Sequence, residues 1–442
     1  MFTANRHSIR DDADEMSPKD QMVWRLETGH RARPVILAIM EFDGPLDWQE
    51  LITWHEGLIA LMPRMRAKVV NHRGLLRRSH WTPDPDFELS HHLKRVPVKG
   101  KGLQRDLLDT AETLAEVPFK HGRSPWDGYL IEGLDGGRSA YLLKISHSMA
   151  DGIRLRELFL RHAANDATHA GADWSVIDPM LPPAPPQREK RSWWDLARRG
   201  GKAGWFLAQA GRDMLNLPHP VPPADGHFAR RFYTTVVPLA PFKQLALAGG
   251  GTVHDALVAA VMEGCRRYNQ HHRTARRHMR VFSPYGRPPT GGGHDPALAG
   301  NHWFIVRFAV PGNVPEITDR IAMVRNAVKT AYHRDSIDWM GAIATLSPLI
   351  PQAVFETAFL RLCASHDFVV SNMAGPDAPL SIGRAQATQI YAIAPTLGSA
   401  LTVTLLSYRH SCHLTVNIDP NVIRDSDLLG QCVAESLAVT IS

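Results

Sequence analysis

The stretch ISHSMADGI, residues 145–153, holds the residue types in this chain best suited to chemistry. An apolar run, Tyr141–Leu142–Leu143, precedes it, and RLRELFLRHA follows with helical spacing. A histidine leaving the end of a strand can reach into a cleft, and an imidazole suits general-base work at neutral pH. His147 is that histidine. Asp151, four residues on, has two open roles. It could orient the imidazole directly, as in a triad, or turn away and pin the loop through an arginine. Gly152 permits a sharp turn or a close backbone approach where the next helix starts. Spacing alone does not separate a catalytic from a structural histidine here.

Competing chemistries lack their usual surroundings. There is no G-x-S-x-G elbow around Ser146 or Ser148, so a serine-esterase reading has no support. H-E-x-x-H is absent, and the pairs His91–His92 and His271–His272 have no carboxylate or cysteine at ligand spacing. They read as surface histidines, and no metal is expected. Neither a P-loop nor a G-x-G-x-x-G turn occurs, which argues against nucleotide chemistry.

Elements of both kinds must position these residues. PVILAIMEF and AYLLKIS read as strands, and DWQELITWHEGLIALMP, AETLAEVPFK and RLRELFLRHA as helices, all before about residue 164. Residues 165–228 are rich in proline around a basic tract with three tryptophans, the composition of a linker carrying its own helix. From 229 to 442 a second mixed region follows. GTVHDALVAAVMEGCRRY is helix-like, and WFIVRFAVP, DFVVSNM, ALTVTLLSY and CHLTVNID are strand-like. The uncharged stretch 385–408 contains Pro395 and Gly398 and reads as two buried strands around a turn, not a membrane span. Two α+β lobes, 1–164 and 229–442, joined by a long linker, are expected.

The net charge of +6 over 442 residues permits weak attraction to anionic lipid or a phosphorylated co-substrate but does not indicate a nucleic-acid binder. The cysteines, Cys265, Cys363, Cys412 and Cys432, form no CxxC pair and read as reduced thiols of a cytoplasmic protein. The N-terminus is polar, without the apolar core of a secretory signal. In the linker, residues 188–215 project Trp193, Leu196, Leu207 and Leu215 onto one helical face. Six basic residues stand against two acidic ones between 188 and 202, so the tract could lie on an anionic membrane or lipid-droplet surface, or dock on the protein with its basic face solvated.

Six separated stretches, in order, resemble one family, the bacterial wax ester synthase/diacylglycerol acyltransferases. SHSMADG resembles its H-H-x-x-x-D-G motif, and SPWDGYLIEGL its P-L-W segment. MSPKDQMVW, MPRMRAKVV, TVHDALVAAVMEGCRRY and VVSNMAGP resemble its L-S-P-x-D-x-M, H-P-R-x-R, N-D and S-N-V-P-G-P segments. The resemblance implies an α/β fold of two chloramphenicol acetyltransferase-like lobes, as in condensation domains, with the active site in a tunnel between them. It implies transfer of a long-chain acyl group from acyl-CoA to diacylglycerol or a long-chain alcohol, with no metal, no cofactor beyond acyl-CoA as co-substrate, and no covalent acyl-enzyme. It carries the base to His147 and a structural pair to Asp151 with Arg66. It also carries substrate contacts to Ser146, Trp126, Ser371 and Asn372, the last two as oxyanion donors. Ser146 replaces the first motif histidine, Ser124–Pro125–Trp126 replaces P-L-W, and His254 replaces the asparagine before Asp255. These departures bear on substrate choice, and they leave room for another hydroxyl acceptor or a lipid-binding relative without activity.

Overall fold

The structure, a computed structural model, describes residues 14–29, 31–71, 79–165, 211–221, 228–274, 276–286, 300–334 and 339–439. The strands are β1 Asp14–Glu15, β2 Val35–Phe42, β3 Ala67–Val70, β4 His80–Pro83, β5 Leu93–Pro97, β6 Trp126–Glu132, β7 Ser139–Ser146, β8 Arg231–Pro238, β9 His278–Gly286, β10 Trp303–Pro311, β11 Phe368–Met373, β12 Ser381–Ile382, β13 Ala385–Ile393, β14 Leu401–Tyr408 and β15 Ser411–Ile418. Two six-stranded sheets form, in the orders β12-β13-β2-β7-β6-β5 and β10-β9-β11-β14-β15-β8, with a small sheet β1-β4-β3 beside the first.

The central strands of the first sheet read as continuous apolar runs because both their faces are covered. Helix Trp48–Leu61 lays Leu51 and Leu58, and helix Gly152–Asn165 lays Leu155 and Leu158, against Ile36, Met40, Tyr141 and Leu143. On the other face, helix Gln104–Glu116 packs Leu107, Leu108 and Ala111 against Leu37, Ile39 and Leu142. Asp47 starts the first of these helices, its carboxylate accepting from the N–H groups of Gln49 and Glu50 at 2.9 Å each. The second sheet is backed by helices Val253–His271, Ile317–Arg334 and Ser426–Val439 around one large apolar core. The first begins with a capping box between Thr252 and Asp255, so Asp255 supports a helix.

The uncharged stretch 385–408 is two strands around a turn, but the strands enter different sheets. β13 pairs antiparallel with β2 of the first sheet, Ile390 opposite Met40, while β14 joins the second sheet between β11 and β15. A boundary at 229 thus divides the sequence but not the sheets, since β12 and β13 complete the N-terminal one. Of the 165–228 tract, only 165, 211–221 and 228 lie within the described residues. The basic helix expected over 188–215 falls outside them up to 210. Residues Asp213 and Asn216 are held to the second half by arginines: Arg307 reaches Asp213 at 2.8 Å and Arg280 reaches the Asn216 carbonyl at 2.6 Å.

His92 departs from the surface reading. It is buried beside Trp126, with its Nδ1 2.8 Å from the Trp126 carbonyl, and burial lowers its pKa. His271 and His272 are exposed. All four cysteines are free thiols. No single helix among the described residues is long and apolar enough to cross a membrane.

Candidate functional site

β7 ends at Ser146, and the next five residues turn the chain into the helix that begins at Gly152. His147 sits at this turn, half-buried, with its own N–H bonded to the Pro34 carbonyl at 2.7 Å. The opposing wall comes from the second half of the chain. Gly300 accepts from the Asp151 N–H at 3.2 Å and donates to the Met149 carbonyl at 2.8 Å, a single parallel bridge that ties the motif to the segment leading into β10. Gly300 has φ +90°, a conformation that suits glycine and lets the backbone come this close.

Three residues beyond the motif complete the surroundings of His147. Its Nδ1 lies 2.8 Å from Asn301 Oδ1, and the Trp303 indole N–H donates to the same oxygen at 2.8 Å. The Asn301 amide N–H₂ donates to Asp20 Oδ1 at 2.8 Å and to the His147 carbonyl at 2.7 Å. Asp20 is buried and lies 3.4 Å from the guanidinium of Arg64. Burial raises the Asp20 pKa, opposed by Arg64 and Asn301. Among the described residues, His147 Nε2 has no hydrogen-bond partner.

Asp151 does not touch the imidazole, and Arg66 is not its partner. The carboxylate is buried and accepts two backbone N–H groups, Arg154 at 2.9 Å through Oδ1 and His302 at 2.8 Å through Oδ2. It caps the helix and fastens the motif to the residue next to Asn301. Arg66 is exposed and stacks over Phe87 at 5.4 Å. The arginine that faces the motif is Arg64, whose Nη1 lies 3.4 Å from the Met149 carbonyl. Gly152 lies close to the second half: a Cβ there would stand 2.8 Å from Sδ of the flexible Met373 side chain, at the end of β11.

Trp126 belongs to the core. It is 1% exposed, donates its indole N–H to the Met65 carbonyl at 2.8 Å, and stacks between His92 and His55 at 4.7 and 5.6 Å. Ser146 is fully buried on the reverse side of the strand, 3.2 Å from Glu27 Oε2 and 2.9 Å from Ser148 Oγ. Neither Trp126 nor Ser146 therefore lines a passage open to water. Burial pushes the Glu27 carboxyl up to about 7, against the pull of Ser146, Arg33, Lys144 and Arg230. Ser371 and Asn372 lie half-buried in β11, just before the Met373 that abuts Gly152. His254 is buried, 3.1 Å from Ser283 Oγ, and burial lowers its pKa.

The sequence reading missed Asn301 and Trp303. Their signal is short, a glycine before NHWF at the start of a strand, and only the folded chain brings it against a histidine 154 residues away. Asp20 stood within the MSPKDQMVW match, without a role.

Residues 16–257 match the catalytic domain, and residues 299–440 the C-terminal domain, of the wax ester synthase/diacylglycerol acyltransferases. A Mycobacterium tuberculosis protein named "Putative diacyglycerol O-acyltransferase Rv2484c" is 28% identical, over 95% of this chain and 90% of its own length. A second, named "Putative diacyglycerol O-acyltransferase Rv3087", is 25% identical over 87% of each chain. Among solved structures, the wax ester synthase/diacylglycerol acyltransferase of Marinobacter aquaeolei VT8 superposes with a TM-score of 0.64 at 17% identity, covering 97% of this chain and 99% of that one. The first condensation domain of the CDA synthetase gives 0.59 at 16% identity, over 97% and 98% of the two chains. These likenesses show the chloramphenicol acetyltransferase-like fold of the two lobes. With both family domains matched in order, the chain belongs to the wax ester synthase/diacylglycerol acyltransferase family of acyltransferases.

Proposed function

We propose that this protein transfers a long-chain acyl group from acyl-CoA to the hydroxyl of diacylglycerol or of a long-chain alcohol, with His147 as the general base. The observation that carries the reading is the imidazole at the seam of the two halves, tied at Nδ1 by Asn301 and without a partner at Nε2 among the described residues. Nε2 takes the proton of the acceptor hydroxyl as its oxygen attacks the thioester carbonyl. The tetrahedral intermediate then collapses, the C–S bond breaks, and Nε2–H returns the proton to the departing CoA thiolate. General-base help of this kind is worth about 10²–10⁴-fold. Holding both substrates against one imidazole lowers the entropic part of the barrier. Ser371 and Asn372 are the proposed donors to the oxyanion, supported by their half-buried position beside Met373 and Gly152. The scheme uses acyl-CoA as co-substrate and neither a metal nor a further cofactor.

A water-insoluble acceptor is met at a membrane or droplet surface on the cytoplasmic side. Support for such peripheral association comes from an uncharged run, residues 339–355, which exposes Leu346, Leu349 and Val354 by 55%, 48% and 57%. Arg25 fastens this turn through the carbonyls of Ser347 and Ile350. The test is to incubate the purified protein with palmitoyl-CoA and either diacylglycerol or hexadecanol, and to measure free CoA and the ester. Acceptor-dependent release of CoA supports the reading; no ester with either acceptor overturns it and leaves another hydroxyl acceptor or a non-catalytic lipid-binding role.

A further inference from the structure

We infer that Asn301, braced by Asp20 and Trp303, is the positioning residue that fixes the tautomer of His147 and so directs its lone pair to the reacting side. The inference rests on His147 being the base. Its logic is one of donor and acceptor counting. The Trp303 indole can only donate, so the Asn301 atom that meets it at 2.8 Å is the oxygen. The amide nitrogen then spends both hydrogens, one on Asp20 Oδ1 and one on the His147 carbonyl. Asn301 Oδ1 can only accept, so the His147 Nδ1 at 2.8 Å must carry a hydrogen. In the neutral imidazole that leaves the lone pair on Nε2, where a base needs it.

Every member of this relay has a second anchor. Asp20 is 2% exposed and lies 3.4 Å from Arg64. Lys19, one residue earlier on the same helix, sits over the Trp303 ring at 5.4 Å and donates to the Trp303 carbonyl. His302, between Asn301 and Trp303, gives its backbone N–H to Asp151. The charged and titratable groups around the imidazole are thus Asp20 and Lys19 of helix Pro18–Thr28, Arg64 after the second helix, Asp151 and Arg154 on its own segment, and His302. An amide stands where a triad places a carboxylate, with the carboxylate one step further back. The arrangement orients the imidazole without putting a negative charge directly against its ring. It also builds the base from both halves of the chain, since Asn301 and Trp303 come from the second.

The test uses the full-length protein and three variants, Asn301→Ala, the exchange Asp20→Asn plus Asn301→Asp, and His147→Ala. Asn301→Ala should lower kcat by roughly 10–10²-fold, part of the general-base contribution, with KM within about threefold. The exchange keeps the side-chain volumes and net charge but puts a carboxylate against Nδ1–H. It should recover more activity than Asn301→Ala and move the acid limb of kcat/KM to higher pH by about one unit, because a nearby anion favours the imidazolium. A merely structural role would not move that limb. In parallel, the ¹⁵N spectrum of histidine-labelled protein should show His147 protonated at Nδ1 in the wild type, and a mixture of tautomers in Asn301→Ala. An inactive His147→Ala beside an Asn301→Ala variant with wild-type kcat, pH profile and tautomer would overturn this inference alone. An active His147→Ala would instead overturn the assignment of the base.

Discussion

Replacing Asp151 separates two roles that the motif alone leaves open. Asp151→Ala removes an acceptor from two N–H groups, the buried one of Arg154 and the part-buried one of His302. The first is a helix cap, worth about 0.5–2 kcal/mol. The second is part-buried and left without this partner, at a cost of at most about 1–3 kcal/mol. The loss of stability is therefore at most roughly 2–5 kcal/mol, with Asp151→Asn near half of that, since an amide can accept from one N–H but presents its own hydrogens to the other. Arg66→Ala removes only an exposed stack on Phe87 and should cost less than about 1 kcal/mol. The assay is urea unfolding of the wild type, both single variants and the double variant. The two losses should add to within about 0.5 kcal/mol. An Arg66→Ala loss as large as that of Asp151→Ala, or a double variant no worse than either single one, would refute the backbone-clasp role and restore the ion pair.

Trp126→Ala should cost about 3–5 kcal/mol of stability, as for a buried aromatic, and a variant of native stability with only a raised KM would contradict its place in the core. Glu27 titrates near 7 in the folded chain against an ordinary value of 4.5, so the folded state binds the extra proton between those values. Its contribution to stability is full below 4.5 and is lost as pH rises through 7. Melting temperatures of the wild type should fall relative to Glu27→Gln between pH 5 and 8, and parallel curves would reject this. Gly152→Ala should cost less than about 1 kcal/mol, because the flexible Met373 side chain can shift away; a larger loss in urea unfolding would mean that something else at Gly152 forbids a side chain. Leu346→Glu with Leu349→Glu should abolish co-sedimentation with anionic liposomes, and unchanged binding would exclude that turn as the contact.

The central strands were legible because burial on both faces turns them into apolar runs, which β2 and β7 show along nearly their whole length. Helix starts were legible where a capping residue stood in place, as at Asp47 and Thr252. What failed were pairings across long sequence separations. PRMR offers two arginines two residues apart, and nothing local says that Arg64 turns toward Asp20 while Arg66 turns to solvent. The destination of β13 was equally hidden, since its alternation fits either sheet. Trp126 and Ser146 read as substrate contacts because they stand in segments that match the family's motifs. Trp126 instead packs between histidines in the core, and Ser146 faces away from the base toward Glu27. Asn301 had no periodicity to announce it, and long-range ties, the bridge between Ala150 and Gly300 and the Asp151 clasp on His302, bring it to the imidazole.

The most direct test of acyl transfer by this site is the rate of CoA release from palmitoyl-CoA, in the presence of diacylglycerol or hexadecanol, by His147→Ala beside the wild type. With His147 as the base, the variant should keep its melting temperature and lose about 10²–10⁴-fold in rate with whichever acceptor the wild type uses. A folded His147→Ala protein that turns over within a few-fold of the wild type would contradict it.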